Sequence, residues 1–106
     1  MRLFLYGTLL RPAVLARFAG RPVATRPAAL RGWRRTHLGG TGYPTLRRAP
    51  GQVEGAVMDA DAATLRRLMA YEGVRYRLER VTVRTARGPE LAHVWIAAAA
   101  LTRPWP

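Results

Sequence analysis

The 106-residue sequence contains no cysteine, serine, asparagine or lysine. Without cysteine, neither a disulfide framework nor a thiolate zinc site holds the fold. Losing both serine and cysteine removes the commonest covalent nucleophiles. The histidines, His37 and His93, stand far apart in sequence, which argues against a structural metal site. No apolar run reaches the roughly 20 residues needed to cross a bilayer. The apolar start is broken at Gly7 and ended by Arg11-Pro12, with no small-residue cleavage site after it, unlike a signal peptide. The expectation is a soluble, cytoplasmic protein with no membrane partner.

Acidic residues are also scarce. Six stand against 18 basic ones, a net charge of +12, and every basic residue is an arginine. That balance attracts anions. A nucleic-acid surface is one reading of it. Against this, the arginines run from Arg2 to Arg103 in singles and short pairs such as Arg34-Arg35 and Arg66-Arg67. With alanine, glycine and proline plentiful, the pattern fits codon bias in a GC-rich genome, and no specific nucleic acid is expected as a partner. Hydrophobic residues make up 49 % of the chain, enough for a packed core. The length suits one domain, 1-106.

Residues 2 to 6 read as a strand that stops at Gly7. Backbone N–H groups at the strand end, with a helix N-terminus beyond, suit an anion or oxyanion; a plain tight turn is the alternative. Residues 12 to 19 read as a short helix, with Pro12 in its first turn and Gly20 at its stop. A weaker strand pattern covers 23 to 35, and Gly32 marks a bend or bulge in it. His37 to Tyr43 is glycine-rich without the spacing of a nucleotide-binding loop. Pro50-Gly51 signals a turn. Gln52 to Met58 alternates as a strand, with Val53, Gly55 and Val57 on one face. Asp61 caps a helix from Ala62 to Tyr71, and Gly73 stops it. Tyr76 to Thr85 reads as a strand with Val81 and Val83 inward. A turn at Arg87-Gly88-Pro89 leads to its partner, Leu91 to Ala97. The tail reads as extended, anchored by Trp105.

Most carboxylates have plain explanations. Asp61 is a cap, Asp59 belongs to a turn, Glu54 lies opposite Val53 and Val57, and Glu90 falls in the hairpin turn. Glu72 is different. Leu65, Leu68, Met69 and Glu72 follow i, i+3, i+4 and i+7, which is one helical face. An acid on an apolar face, in the last helical turn, has its neutral form favoured. Such a group is either a general base near neutral pH or a buried carboxylate paired with Arg75, Arg77 or Arg80.

Taken in order, these segments resemble the γ-glutamylcyclotransferase-like superfamily, in its bacterial and plant avirulence-induced branches. Y-G-T-L at Tyr6 to Leu9 is similar to the family's Y-G-[ST]-L signature. V-E-G-A-V at Val53 to Val57 is similar to its V-x-G-x-V strand. L-x-x-L-M-A-Y-E-G-x-x-Y at Leu65 to Tyr76 is similar to the segment that carries the family's glutamate. Gly42 to Pro44 and Pro104-Trp105 sit where related branches carry similar residues.

The resemblance implies an α+β fold, a mixed β-sheet curled into a partly closed barrel with flanking helices. It implies release of 5-oxoproline from a small anionic γ-glutamyl amide or peptide, with no metal or cofactor. It assigns catalysis to Glu72 and substrate binding to Tyr6, Gly7, Thr8, Leu9, Leu10, Arg11 and Tyr76. Tyr76 is preferred over Tyr6 for orienting Glu72. The chain departs from the family at Leu68-Met69, where the family has Leu-Asp, and at Tyr76-Arg77-Leu78, where the family has Y-x-R. The missing aspartate favours an alternative, a non-catalytic binding module on the same fold. A basic RNA-binding protein is the third reading. A monomer and a homodimer are both compatible with the sequence, with Trp33 and Trp105 as contact candidates.

Overall fold

A computed structural model describes residues 1–38, 44–97 and 102–104. In it, β1 (Arg2–Leu5) leads through a 3₁₀ turn (Thr8–Leu10) into α1 (Pro12–Ala19). Then come β2 (Arg26–Leu38), β3 (Pro44–Asp59), α2 (Ala62–Glu72), β4 (Tyr76–Thr85), β5 (Gly88–Ala97) and β6 (Thr102–Pro104). The strand order is β3-β1-β5-β4-β2-β6, and β2 also pairs with β3. That extra pairing closes β1 to β5 into a mixed barrel, and β6 lies against the end of β2 at Thr36–Leu38. The β1–β5 contact is parallel, bridged at Leu3↔His93, while the other ladders are antiparallel. The α+β barrel with flanking helices implied by the resemblance is the observed fold. Neither helix is long and apolar enough to cross a membrane. The glycine-rich 39–43, with Gly42 and Tyr43, and the expected anchor Trp105 lie outside the described residues.

Local chemistry places the helices. Pro12 opens α1, and Gly20 ends it in the left-handed region with φ 83°, its N–H donating to the Ala16 carbonyl at 3.0 Å. The Asp61 carboxylate accepts from Thr64 N–H at 2.8 Å at the start of α2. The buried stripe of α2 centres on Thr64 and Leu68, with Leu65 and Tyr71 partly buried beside it. Met69, expected on the same face as Glu72, is 48 % exposed. It stands about 100° round the helix from Leu68, which turns it to solvent.

The strands correct two expectations. Pro50-Gly51 is not a turn, because both residues lie within β3. Arg31 pairs with Gln52 and Trp33 with Arg48, so the register shifts there and the extra residues of β3 bulge out. Gly32 (φ 82°) and Gly51 (φ 134°) take up the distortion. Pro50 lacks an N–H for the ladder and is tolerated at a bulge. Glu90 likewise lies outside the hairpin turn. The turn falls at 86–87, and Glu90 sits in β5 opposite Val83.

β1 separates two apolar layers. Phe4 and Tyr6 point into the barrel with Leu30, Val57 and Val94. Leu3 and Leu5 point the other way, towards Leu15 of α1 and Leu68 of α2. A strand covered on both faces is apolar at every position, which explains its unbroken run. It also approaches β3 closely. A Cβ on Gly55 would fall 2.1 Å from the Leu5 carbonyl oxygen and 2.8 Å from Phe4 Cζ. The glycine of V-E-G-A-V is therefore a steric requirement for seating β1.

Candidate functional site

A cavity of about 230 Å³ opens where β1 runs out, between the two apolar layers. Residues 4–9 form one wall. Tyr71 and Glu72 from the end of α2, Tyr76 at the start of β4, Trp95 of β5 and Pro44 of β3 complete it. Residues far apart in the chain meet here because β1 runs antiparallel to β3 and α2 follows β3 directly. The end of β1 and the last turn of α2 therefore come to the same cavity.

Glu72 is the cavity's carboxylate. Burial pushes it up from 4.5 to about 7. The arginine pairing considered for it is absent among the described residues. Arg77 lies 3.6 Å from Glu79, and neither Arg75 nor Arg80 forms an ion pair with a described residue. A half-buried carboxylate without a cationic partner, poised between charged and neutral, can accept and return a proton near pH 7.

The turn facing it carries backbone donors. Leu10 N–H donates to the Gly7 carbonyl at 3.0 Å and Arg11 N–H to the Thr8 carbonyl at 3.1 Å. Among the described residues, the N–H groups of Gly7, Thr8 and Leu9 have no backbone partner of this kind. The donors belong to the turn alone. The N-terminal residues of α1, Pro12 and Ala13, are exposed and lie outside the cavity wall. Arg35 holds the turn from behind, donating to the Tyr6 carbonyl at 2.9 Å and the Glu54 carbonyl at 3.2 Å.

Two tyrosines of the cavity wall bond to different carbonyls. Tyr6 donates to the Trp95 carbonyl at 2.7 Å. Its burial, and then the charge of Glu72, raise its pKa well above the usual phenol value. Tyr6 therefore stays neutral. Tyr76 turns its hydroxyl to the Pro44 carbonyl at 3.1 Å, so it ties β4 to β3 across the cavity wall. Of the residues assigned to binding, Tyr6, Gly7, Thr8, Leu9 and Tyr76 line the cavity with Glu72. Leu10 and Arg11 are exposed and do not.

Tyr71, Trp95 and Arg35 were not singled out from sequence, and Pro44 entered only as the end of the Gly42 to Pro44 match. Tyr71 had a usable signal, since it follows Leu68 at i+3. Arg35 had none beyond its place in an arginine pair. No group of three acidic or histidine side chains among the described residues is placed to hold a metal ion.

A closed mixed barrel, two helices on one side and a carboxylate facing a glycine turn define a small α+β domain with an acid–base cavity. The family model described as gamma-glutamyl cyclotransferase, AIG2-like, matches residues 3–105, and the chain belongs to that family. Protein AIG2 C of Arabidopsis thaliana is 40 % identical over 86 residues, covering 79 % of this chain. The chain spans 51 % of that relative's length. An Arabidopsis thaliana structure, solved in solution, superposes with a TM-score of 0.83 at 27 % identity, over 99 % of this chain and 68 % of that one. A solved gamma-glutamyl cyclotransferase superposes at 0.81 with 19 % identity, over 98 % of this chain and 69 % of its own, a likeness of fold.

Proposed function

We propose that this protein is a cofactor-independent γ-glutamylcyclotransferase. The observation that carries this reading is the meeting of Glu72 with the Gly7–Thr8–Leu9 turn in one cavity. The α-ammonium of a γ-glutamyl amide gives a proton to Glu72. The freed nitrogen attacks the γ-carbonyl, a C–N bond forms, and the five-membered ring closes. Glu72 returns its proton to the amide nitrogen, the old amide C–N bond breaks, and the ring nitrogen passes its second proton to the departing amine, which leaves as an ammonium. The products are 5-oxoproline and an amine or peptide. Because both reacting groups sit in one molecule, holding it folded supplies much of the rate. The turn N–H groups bind the substrate carboxylate or the oxyanion. Glu72 near pKa 7 suits both halves of its task.

The missing aspartate at position 69 weighs less than the sequence suggested. Met69 is 48 % exposed and outside the cavity wall, so a side chain there takes no part in shaping it. Release of 5-oxoproline from γ-glutamyl dipeptides, glutathione and γ-glutamyl-ε-lysine tests the reading. The wild type should turn over at least one of them, and Glu72→Gln should not. A wild type that is stabilised by these compounds yet releases nothing from any of them is a binding module instead.

A further inference from the structure

At the cavity mouth, the turn after β1 meets α2 through one pair of hydroxyls. Thr8 Oγ1 and Tyr71 Oη lie 2.5 Å apart. The Tyr71 ring is itself seated, 4.2 Å from the Phe18 ring of α1 and tilted 41° to it. Neither helix belongs to the sheet, so no ladder fixes the gap between the turn and α2. Among the described residues, this pair is the side-chain hydrogen bond that joins them. Tyr71 immediately precedes Glu72, so whatever holds its ring and hydroxyl also holds the last turn that presents the carboxylate.

We infer that Tyr71 is a positioning residue, which sets the separation between the Gly7–Leu9 N–H groups and Glu72 through its hydroxyl on Thr8. This rests on the cyclotransferase reading above. The energetic logic is that of preorganisation. The donors and the base act on two ends of one folded γ-glutamyl group, and a displacement of about 1 Å can cost up to about a hundredfold in rate. Bonding between the hydroxyls uses one of their two protons. The other remains to donate towards the cavity, which both residues line.

Tyr71→Phe keeps the ring on Phe18 and removes the hydroxyl. Thr8→Val removes the partner, and Thr8→Ser keeps it. Each of the first two should lower kcat by about tenfold with KM held within about threefold. The double variant should be no slower than the worse single one, because both break the same bond. Thr8→Ser should recover most of the rate. Amide exchange in the free protein gives a readout without turnover. The Leu10 and Arg11 amides, whose bonds to the Gly7 and Thr8 carbonyls close the turn, should exchange about tenfold faster in Tyr71→Phe than in the wild type.

Wild-type kcat in Tyr71→Phe, multiplicative losses in the double variant, or Thr8→Ser as slow as Thr8→Val would each overturn the assignment. If the wild type releases no 5-oxoproline while the exchange response persists, the cyclotransferase reading has failed. Tyr71 is then only a latch on the turn, and its role in a reaction falls with that reading. If the wild type is active but exchange is unmoved, the positioning role alone is lost.

Discussion

Glu72 and Glu90 are the same side chain in opposite surroundings. Glu90 lies where β5 and β4 approach the starts of β1 and β2. Arg26 grips it with both terminal nitrogens, at 2.8 and 2.9 Å. Arg2 adds a contact at 2.9 Å, and the Thr85 hydroxyl donates to the same carboxylate. With the Arg26 hydrogen bonds as the largest cause, its pKa falls to about 2. Glu72 faces a cavity and has no ion-pair partner among the described residues, and burial raises it to about 7. Neither value follows from the residue type. What separates them is whether burial comes with compensating donors. A compensated carboxylate ties strands together and stays charged; an uncompensated one is held ready to exchange a proton.

The largest expected effect breaks the two apart by function. Glu72→Gln should lower 5-oxoproline release by about a thousandfold, within the range for loss of a general base. Glu90→Gln should leave turnover close to wild type while lowering the melting temperature by several degrees at pH 7. Comparable rate losses in both variants would mean that the distinction is false.

Next comes a substitution that disturbs both regions at once. β1 carries Arg2 at one end, where it reaches Glu90, and Tyr6 beyond the other, where it walls the cavity. Gly55 seats that strand, and an added methyl group would overlap the Leu5 carbonyl. Gly55→Ala should therefore cost about 3 kcal/mol by chemical denaturation, the upper end for overpacking. A cost below about 1 kcal/mol would show that β1 shifts freely, and that its two ends are not held by one strand.

Acid and base should separate the carboxylates by sign. The folded pKa of Glu72 is raised, so its neutral form favours the native state. That contribution is complete below pH 4.5 and is lost as pH rises through about 7. Above pH 7 the ionised group costs at most about 3 kcal/mol, from 1.36 kcal/mol per pKa unit. Glu72→Gln should accordingly be more stable than wild type above pH 7 and equal to it below pH 4. For Glu90 the folded pKa is depressed. Its contribution is present above pH 4.5 and is lost as pH falls towards about 2. Glu90→Gln should be less stable than wild type at pH 7, and the difference should close on acidification. The rate should follow the first group alone, rising with pH through about 7.

This contrast also marks what the sequence discloses. Pro12, Gly20, Asp61 and Gly73 act on groups within a turn of themselves, so the helix limits could be read directly. Glu72 was legible because helical spacing set it among apolar neighbours. Glu90 was not, since Arg2 and Arg26 reach it only after distant strands have paired. Pro50-Gly51 carries the same local signal for a turn as for a bulge, and only the register of β2 decides between them. Met69 was misplaced because Leu65, Leu68 and Glu72 fit several stripes. The buried side of α2 is set by what it packs on, and that centres it on Leu68 and Thr64. The hydroxyl contact of Tyr71 with Thr8 joins residues 63 positions apart, beyond the reach of any periodicity.

The smallest effect sharpens the edge of the Glu72 region. Leu10 and Arg11 continue the Y-G-T-L stretch, and the resemblance includes them in substrate binding. The structure turns their side chains to solvent, outside the cavity wall. Their backbone is still in use. Arg11 N–H donates to the Thr8 carbonyl at 3.1 Å, and its carbonyl accepts from Leu15 N–H at 3.0 Å. Substitution by alanine leaves both bonds in place. Removing one exposed charge from a net +12 also changes long-range attraction little, since screening at physiological ionic strength acts within about 8 Å. Leu10→Ala and Arg11→Ala should each keep kcat/KM within about twofold of wild type. A tenfold rise in KM for Arg11→Ala would carry the substrate out past the turn to the start of α1. The leaving group would then be bound by a cation at the surface, and the cavity around Glu72 would hold only the γ-glutamyl half.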